Sequence, residues 1–215
     1  RGRKLSHWRY QTRHEEGYIR WFPTLMDYKN IFDYVLTINN FLSPDICSNM
    51  IKSLNESPFY RHSYTNDITG KDSDHGDEEL FNYYSENISK PIHDRILYAF
   101  SRYDMKVRTP YVKFKDRTKD FYSEIRFNKY TVHSKMAEHV DHIHTLFDGE
   151  RKGIPILTLL GFLNDDYDGG DFYLCDQRVE VSTGQLLMFP SNFLYPHRVE
   201  PVTKGTRYSW VSWVW

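Results

Sequence analysis

The sequence predicts a mostly β chain with N-terminal helices, in which a helical support precedes a C-terminal core of the sandwich or jelly-roll kind. Three observations predict it. Eight short apolar runs follow Phe121, at 123–130, 136–142, 155–163, 171–175, 178–181, 185–189, 195–200 and 207–214. Turn residues such as Asp168-Gly169-Gly170, Ser182-Thr183-Gly184 and Lys204-Gly205 separate them, and no helical periodicity intervenes. Aromatic residues reach 17%, with 17 Tyr and 14 Phe, side chains that pack well on a pleated surface.

Taken in order, residues 1–30 form a basic and aromatic extension, with Arg1, Arg3, Lys4, Arg9 and Arg13 ahead of Glu15 and Glu16. A solvated arm is the plain reading, and contact with nucleic acid is the alternative. Tyr34 to Ile38 reads as a strand. Ser43, Pro44 and Asp45 then supply an N-cap, a first-turn proline and a first-turn acid for a helix over 44–55, whose Ile46, Met50, Ile51 and Leu54 share a face. Residues 65–79 are polar and read as a loop. A second helical stretch is expected over about 78–103, interrupted near Pro91. Residues 31–215 are thus expected to be a single domain, with 31–120 as helical support and 121–215 as the β-core.

Bulk properties exclude several classes. The formal net charge of −1 argues against coating nucleic acid by charge alone, although the basic arm keeps that partner in view. Cys47 and Cys175 cannot build a disulfide framework or a cysteine metal cage, so a reduced, intracellular (cytoplasmic) setting is expected. No apolar run approaches the length of a membrane span, so no membrane partner is expected. The chain starts at Arg1 without a Met, which leaves targeting open.

The chemistry concentrates in the core. His139 and Asp141 are two apart, so on a strand both side chains point the same way. His197 is the leading candidate for a third ligand. Two imidazoles and one carboxylate with open positions opposite are the facial triad of non-haem Fe(II) oxygenases. The pair alone is weak, because ten His and 18 Asp in 215 residues yield about one such spacing by chance. A second copy, His75-Gly76-Asp77, lies in the polar loop with no strand to hold it. Arg207 comes ten residues after His197, with Pro201 and Lys204-Gly205 between, which suggests a hairpin returning Arg207 beside the His197 strand. A guanidinium deep in a barrel needs an anion, either a bound carboxylate or a local partner such as Glu200.

These segments resemble the prolyl 4-hydroxylase-like branch of the 2-oxoglutarate/Fe(II) dioxygenases. The resemblance rests on EIRFNKY (124–130), EHVDH (138–142), TLLGFLND (158–165), YDGGDFYL (167–174), TGQLLMFP (183–190) and PHRVEPVTKGTRYSWVSW (196–213), with NNFLSPDICSNMIKSL (39–54) ahead of them. It implies a double-stranded β-helix (jelly-roll) core and an enzyme that hydroxylates a peptide or protein side chain, releasing succinate and CO2. The implied cofactors are Fe(II), 2-oxoglutarate and O2, with ascorbate as a stimulant. By the same resemblance His139, Asp141 and His197 are the iron ligands and catalytic centre. Arg207 and Tyr130 hold the distal carboxylate of 2-oxoglutarate, and Trp213 lies near the substrate. The chain departs from the family at Phe162, where a Tyr is common. The lost hydroxyl throws more of the binding onto Tyr130 and Arg207, helped by Thr158.

Neighbouring residues have plainer readings. His142 should point away from the metal, His144 lies beyond the strand end, and His133 sits in a turn. Trp210 and Trp213 do not share a face, so Trp210 is assigned to the core. The loop at 65–79 and the segment 143–153 are expected to cover the site. Alternative functions are the same chemistry on a free amino acid, small molecule or nucleic-acid base, or a jelly-roll binding module without activity. Substrate identity and oligomeric state are not written in the sequence.

Overall fold

Strands whose two faces are both buried explain why the C-terminal runs read as almost continuously apolar. The computed structural model describes residues 30–62, 64–66, 71–73, 80–108, 113–116, 121–141 and 153–215. Their elements are β1 (Leu36–Ile38), α1 (Pro44–Asn55), β2 (Tyr60–Arg61), β3 (Tyr64–Asn66), β4 (Lys71–Ser73), β5 (Phe81–Tyr84) and α2 (Glu86–Val107). After them come β6 (Arg126–Tyr130), β7 (Met136–His139), β8 (Leu157–Phe162), β9 (Asp168–Gly169), β10 (Phe172–Leu174) and β11 (Gln177–Val179). The chain closes with β12 (Leu186–Pro190), β13 (His197–Val199), β14 (Val202–Lys204) and β15 (Arg207–Val214). Residues Ile31–Trp215 make one compact unit.

Two antiparallel sheets form the jelly roll. The larger has the order β1-β12-β8-β15-β6-β5-β2, and the smaller β11-β10-β13-β7. Along β15, Tyr208, Trp210 and Val214 join one apolar cluster with Met50, Leu54, Ile92, Ile96 and Phe100 of the helices. Val211 and Trp213 join a second cluster with Phe172, Leu174 and Val199 of the smaller sheet. The larger sheet is therefore a middle layer, with helices on one side and the second sheet on the other. Its central strands lose the polar alternation that a solvent-facing sheet would show.

The helices follow their local chemistry. Ser43 caps α1 by accepting a hydrogen bond from the Ile46 amide (3.3 Å), and Cys47, Met50 and Leu54 are buried. Ser85 caps α2 in the same way through the Ile88 amide (3.4 Å). Here the structure corrects the expectation of a helix beginning near 78 and broken at Pro91. Phe81–Tyr84 is a strand paired with β6, and α2 starts only at Glu86. Pro91 lies inside a continuous helix, whose buried face of Ile92, Ile96, Ala99 and Phe100 outweighs one missing backbone donor. The expected strand at 34–38 is also shorter, with a 3-10 turn over Ile31–Tyr34 ahead of β1.

Two connections differ from expectation. Asp168-Gly169 is not merely a turn, because it pairs with Val202–Lys204 as a small two-stranded element. Gly169 makes this possible, since a Cβ there would lie 2.4 Å from the Pro201 carbonyl oxygen and its φ is +71°. The second concerns Arg207. β15 is not beside β13, because the segment after His197 leaves the smaller sheet, passes through β14, and enters the larger one. Arg207 therefore faces the His197 strand from the opposite sheet.

Candidate metal centre

The register of the smaller sheet places His139, at the end of β7, directly opposite His197, at the start of β13. Their ring centroids are 4.3 Å apart. Each Nδ1 meets a backbone carbonyl two residues earlier, Ala137 at 2.8 Å and Tyr195 at 3.1 Å. A carbonyl can only accept, so Nδ1 carries the proton and each Nε2 presents its lone pair. Both Nε2 atoms point at Asp141, 3.7 Å from Oδ1 and Oδ2 respectively. One ligand atom from each of the three lies within 4.8 Å of the others. Among the described residues this is the one cluster of three such side chains.

Asp141 is 7% exposed, and burial by itself would raise its pKa. The imidazoles of His197 and His139 and the Thr158 hydroxyl outweigh burial and hold the carboxyl below its ordinary value. The nearby Trp213 indole N–H acts in the same sense, although it closes no hydrogen bond. Thr158 Oγ1 donates to Asp141 Oδ2 at 2.7 Å. Its single proton is thereby used, so Ser191 Oγ, 2.8 Å away, donates to Thr158. The Thr158 hydroxyl thus sits on the Asp141 carboxylate. Burial, with the His197 charge, pushes His139 down to about 4, which keeps its imidazole neutral and able to bind a cation.

The larger sheet supplies the opposite wall. Arg207 is 1% exposed, and its Nη1 donates a hydrogen bond to Ser209 Oγ at 3.3 Å. Nε and Nη2 are buried with no partner among the described residues. Its guanidinium lies 4.7 Å from the Tyr130 ring centroid and 5.5 Å from that of Phe162. Tyr130 is its register partner on β6. Glu200, the local alternative, pairs instead with Arg198 at 2.9 Å. A buried guanidinium held beside two aromatic rings, with no carboxylate partner among the described residues, has the donor set for a bound dicarboxylate. One small cavity is lined by Arg207, Tyr130, Thr158, Trp213 and all three cluster residues. The donor set and the orphaned guanidinium together fit an iron ion and 2-oxoglutarate.

Residues 125–215 match the profile of the 2OG-Fe(II) oxygenase superfamily. The matched segment is the β-core. Similar proteins include a PKHD-type hydroxylase of Stutzerimonas stutzeri, 35% identical over 95 residues, 41% of this chain and 41% of that protein. Another, from Aliarcobacter butzleri, is 39% identical over 97 residues, again 41% of each. The chain thus spans about two fifths of the length of these curated relatives. The viral collagen prolyl hydroxylase of Paramecium bursaria Chlorella virus-1 superposes with a TM-score of 0.57 at 13% identity, covering 84% of this chain and 94% of that one. A Trichoplax adhaerens prolyl hydroxylase, solved with a hypoxia-inducible-factor peptide, gives 0.59 at 18%, covering 85% and 84%. At such identities these two structures speak for the fold alone.

Within the β-core, several cavity residues went unmarked in the sequence. Arg126 and Asn128 share the Tyr130 face of β6 and line the cavity, and Ser191 braces Thr158 from behind. Counting back by twos from Tyr130 would have found the first pair. Trp213 lines the same cavity, whereas Trp210 packs against Phe41 in the helical core, 5.9 Å between centroids. His133 has φ +72° in an exposed turn. His75, Asp77, His142 and His144 lie outside the described residues, as do most of the 65–79 loop and of 143–153. No helix among the described residues is long and apolar enough to cross a membrane.

Proposed function

We propose that this chain is an Fe(II)- and 2-oxoglutarate-dependent oxygenase that hydroxylates a peptide or protein side chain, in the manner of a prolyl 4-hydroxylase. The observation that carries the reading is the pairing of two features across one cavity: the His139–Asp141–His197 cluster and the orphaned guanidinium of Arg207. Bound iron would supply the activation of dioxygen, coupled to oxidative decarboxylation of 2-oxoglutarate to succinate and CO2. Residues 31–215 act as a single domain in this reading, in a cytoplasmic setting compatible with free Cys47 and Cys175.

The chain's own residues do the rest. His139 and His197 present Nε2 and Asp141 presents a carboxylate oxygen, held in place by backbone carbonyls and by Thr158. Arg207 and Tyr130 take the distal carboxylate of the co-substrate. The apolar side chains of Leu160, Phe172, Phe189 and Val211 exclude water around it. Trp213 lies on the face of β15 that lines the cavity and forms part of the substrate wall. Support for a peptide substrate comes from the prolyl hydroxylases of similar fold, one of them solved with a peptide. Ascorbate would act by keeping the iron ferrous.

The test is anaerobic titration with Fe(II) and then 2-oxoglutarate, watching for the visible charge-transfer band of the chelated complex. The band should form in the wild type and vanish in Asp141→Ala and Arg207→Ala. Pro-containing peptides should then gain the mass of one oxygen atom in air. A folded protein with no band would overturn the reading.

A further inference from the structure

The cavity contains a second guanidinium that the assignments above leave unused. Arg126 lies two residues before Asn128 and four before Tyr130 on β6, so all three side chains face the cavity. Its guanidinium stacks on Trp213, with Cζ 4.9 Å from the ring centroid. Its Nε is buried with no hydrogen-bond partner among the described residues. Asp141, the one carboxylate lining this cavity, is already engaged by two imidazoles and Thr158. Arg126 is thus a second cation of the cavity, held over the Trp213 ring and without a carboxylate of its own among the described residues.

Arg126 and Arg207 enter the cavity from different rungs of the β6–β15 pair. In the β6–β15 register Arg207 pairs with Tyr130, while Arg126 pairs with Val211. These rungs are four residues apart, roughly 13 Å along the strand. Arg207 is fully buried, whereas Arg126 is half-buried. Arg207 therefore takes the deep anion and Arg126 faces what arrives from outside. Between them Asn128 Oδ1 is buried with no partner, an acceptor open to a substrate N–H. His62 adds no rival charge. Burial, the Arg126 guanidinium and His139 push its pKa down to about 4, and the Asn82 amide donates to its Nδ1.

We propose that Arg126 is a specificity-determining residue, and that the substrate carries a carboxylate close to the carbon that is hydroxylated. This rests on the oxygenase reading above and narrows its substrate class. A guanidinium stacked on an indole keeps its edge donors aimed in one plane, the geometry that a planar carboxylate satisfies in bidentate fashion. The carboxylate has two possible sources: an acidic residue flanking the target in a peptide, or the α-carboxylate of a terminal or free amino acid.

Calorimetric titration of the chain distinguishes them, run with and without Mn(II) and 2-oxoglutarate. The probes are two matched pairs: blocked Gly-Glu-Pro-Gly against its Gln isostere, and acetyl-Gly-Pro with a free carboxylate against its amide. In the wild type one acid should bind at least about tenfold more tightly than its amide partner, the size of one charged hydrogen bond. That pair names the source. Arg126→Gln should bring the ratio near one, and Arg126→Glu should invert it. The ratio is taken within one protein, so loss of active fraction cancels. Should Arg126→Gln fail to fold, Arg126→Lys must keep a reduced preference. Equal binding of acid and amide by the wild type, no binding of any probe, or a preference that survives Arg126→Gln would each overturn the proposal. Failure of the oxygenase reading would appear separately, as absence of the Fe(II)/2-oxoglutarate band, and would leave the acid preference intact.

Discussion

His139 and His197 sit opposite one another across the β7–β13 pair, and each Nδ1 is tied to the carbonyl two residues before it. The backbone of two strands therefore fixes both tautomers before any metal arrives. What remains adjustable is the carboxylate between them, which depends on the Ser191–Thr158–Asp141 relay.

Thr158→Val keeps the shape of the side chain and removes the hydroxyl that orients Asp141. Iron affinity should fall by about 10–100-fold with all three ligands intact, the usual effect of losing a group that positions a ligand. Equilibrium dialysis against Fe(II) checks it. An unchanged affinity would mean that Asp141 is held by its strand alone.

Arg207→Met separates stability from binding. The guanidinium is buried with Nε and Nη2 unpaired, so its charge should contribute nothing to the stability of the ligand-free chain. Urea unfolding is expected to show equal or greater stability, by up to about 1–4 kcal/mol. The stabilisation that 2-oxoglutarate confers on the wild type should be absent. A clear loss of stability without ligand would show that the charge is already satisfied.

His62 gives a pH dependence with a definite sign. Its pKa is lowered from 6.5 to about 4 in the fold, by burial first and then by Arg126 and His139. The unfolded chain therefore binds the extra proton first, and the contribution is fully present above about 6.5. It is lost as pH falls from there toward 4, by at most about 3 kcal/mol. His62→Gln should flatten the stability profile over that window, measured by denaturant unfolding at successive pH values. A profile equally steep in the variant would assign the slope to another group.

Gly161 lies beneath the Trp210 ring, and a Cβ there would fall 2.0 Å from ring atoms. The two are register partners on β8 and β15. Gly161→Ala must displace a tryptophan that is 1% exposed and packed on Phe41. The expected loss is about 1–3 kcal/mol, within the range of core overpacking. Because β8 also carries Thr158, iron affinity should fall in the same variant.

The sequence by itself determined the parts whose signals are local. Ser43-Pro44 set the start of α1, the eight apolar runs after Phe121 each yielded a strand, and the two-residue spacing of His139 and Asp141 put both on one side of the chain. Tertiary structure decided what depends on which strand lies beside which. Phe81–Tyr84 is a strand only because β6 offers an edge to pair with, and Pro91 is tolerated only because the rest of α2 buries a full apolar face. The placing of β15 in the larger sheet, away from β13, set Arg207 across the cavity from the His139–Asp141–His197 cluster instead of beside it. Hydrogen-bonded register is a long-range property, and turn residues between His197 and Arg207 cannot say to which sheet the chain returns. Arg126 was silent for the same reason: a lone arginine in a strand has meaning only once Trp213, from the neighbouring strand, lies under it.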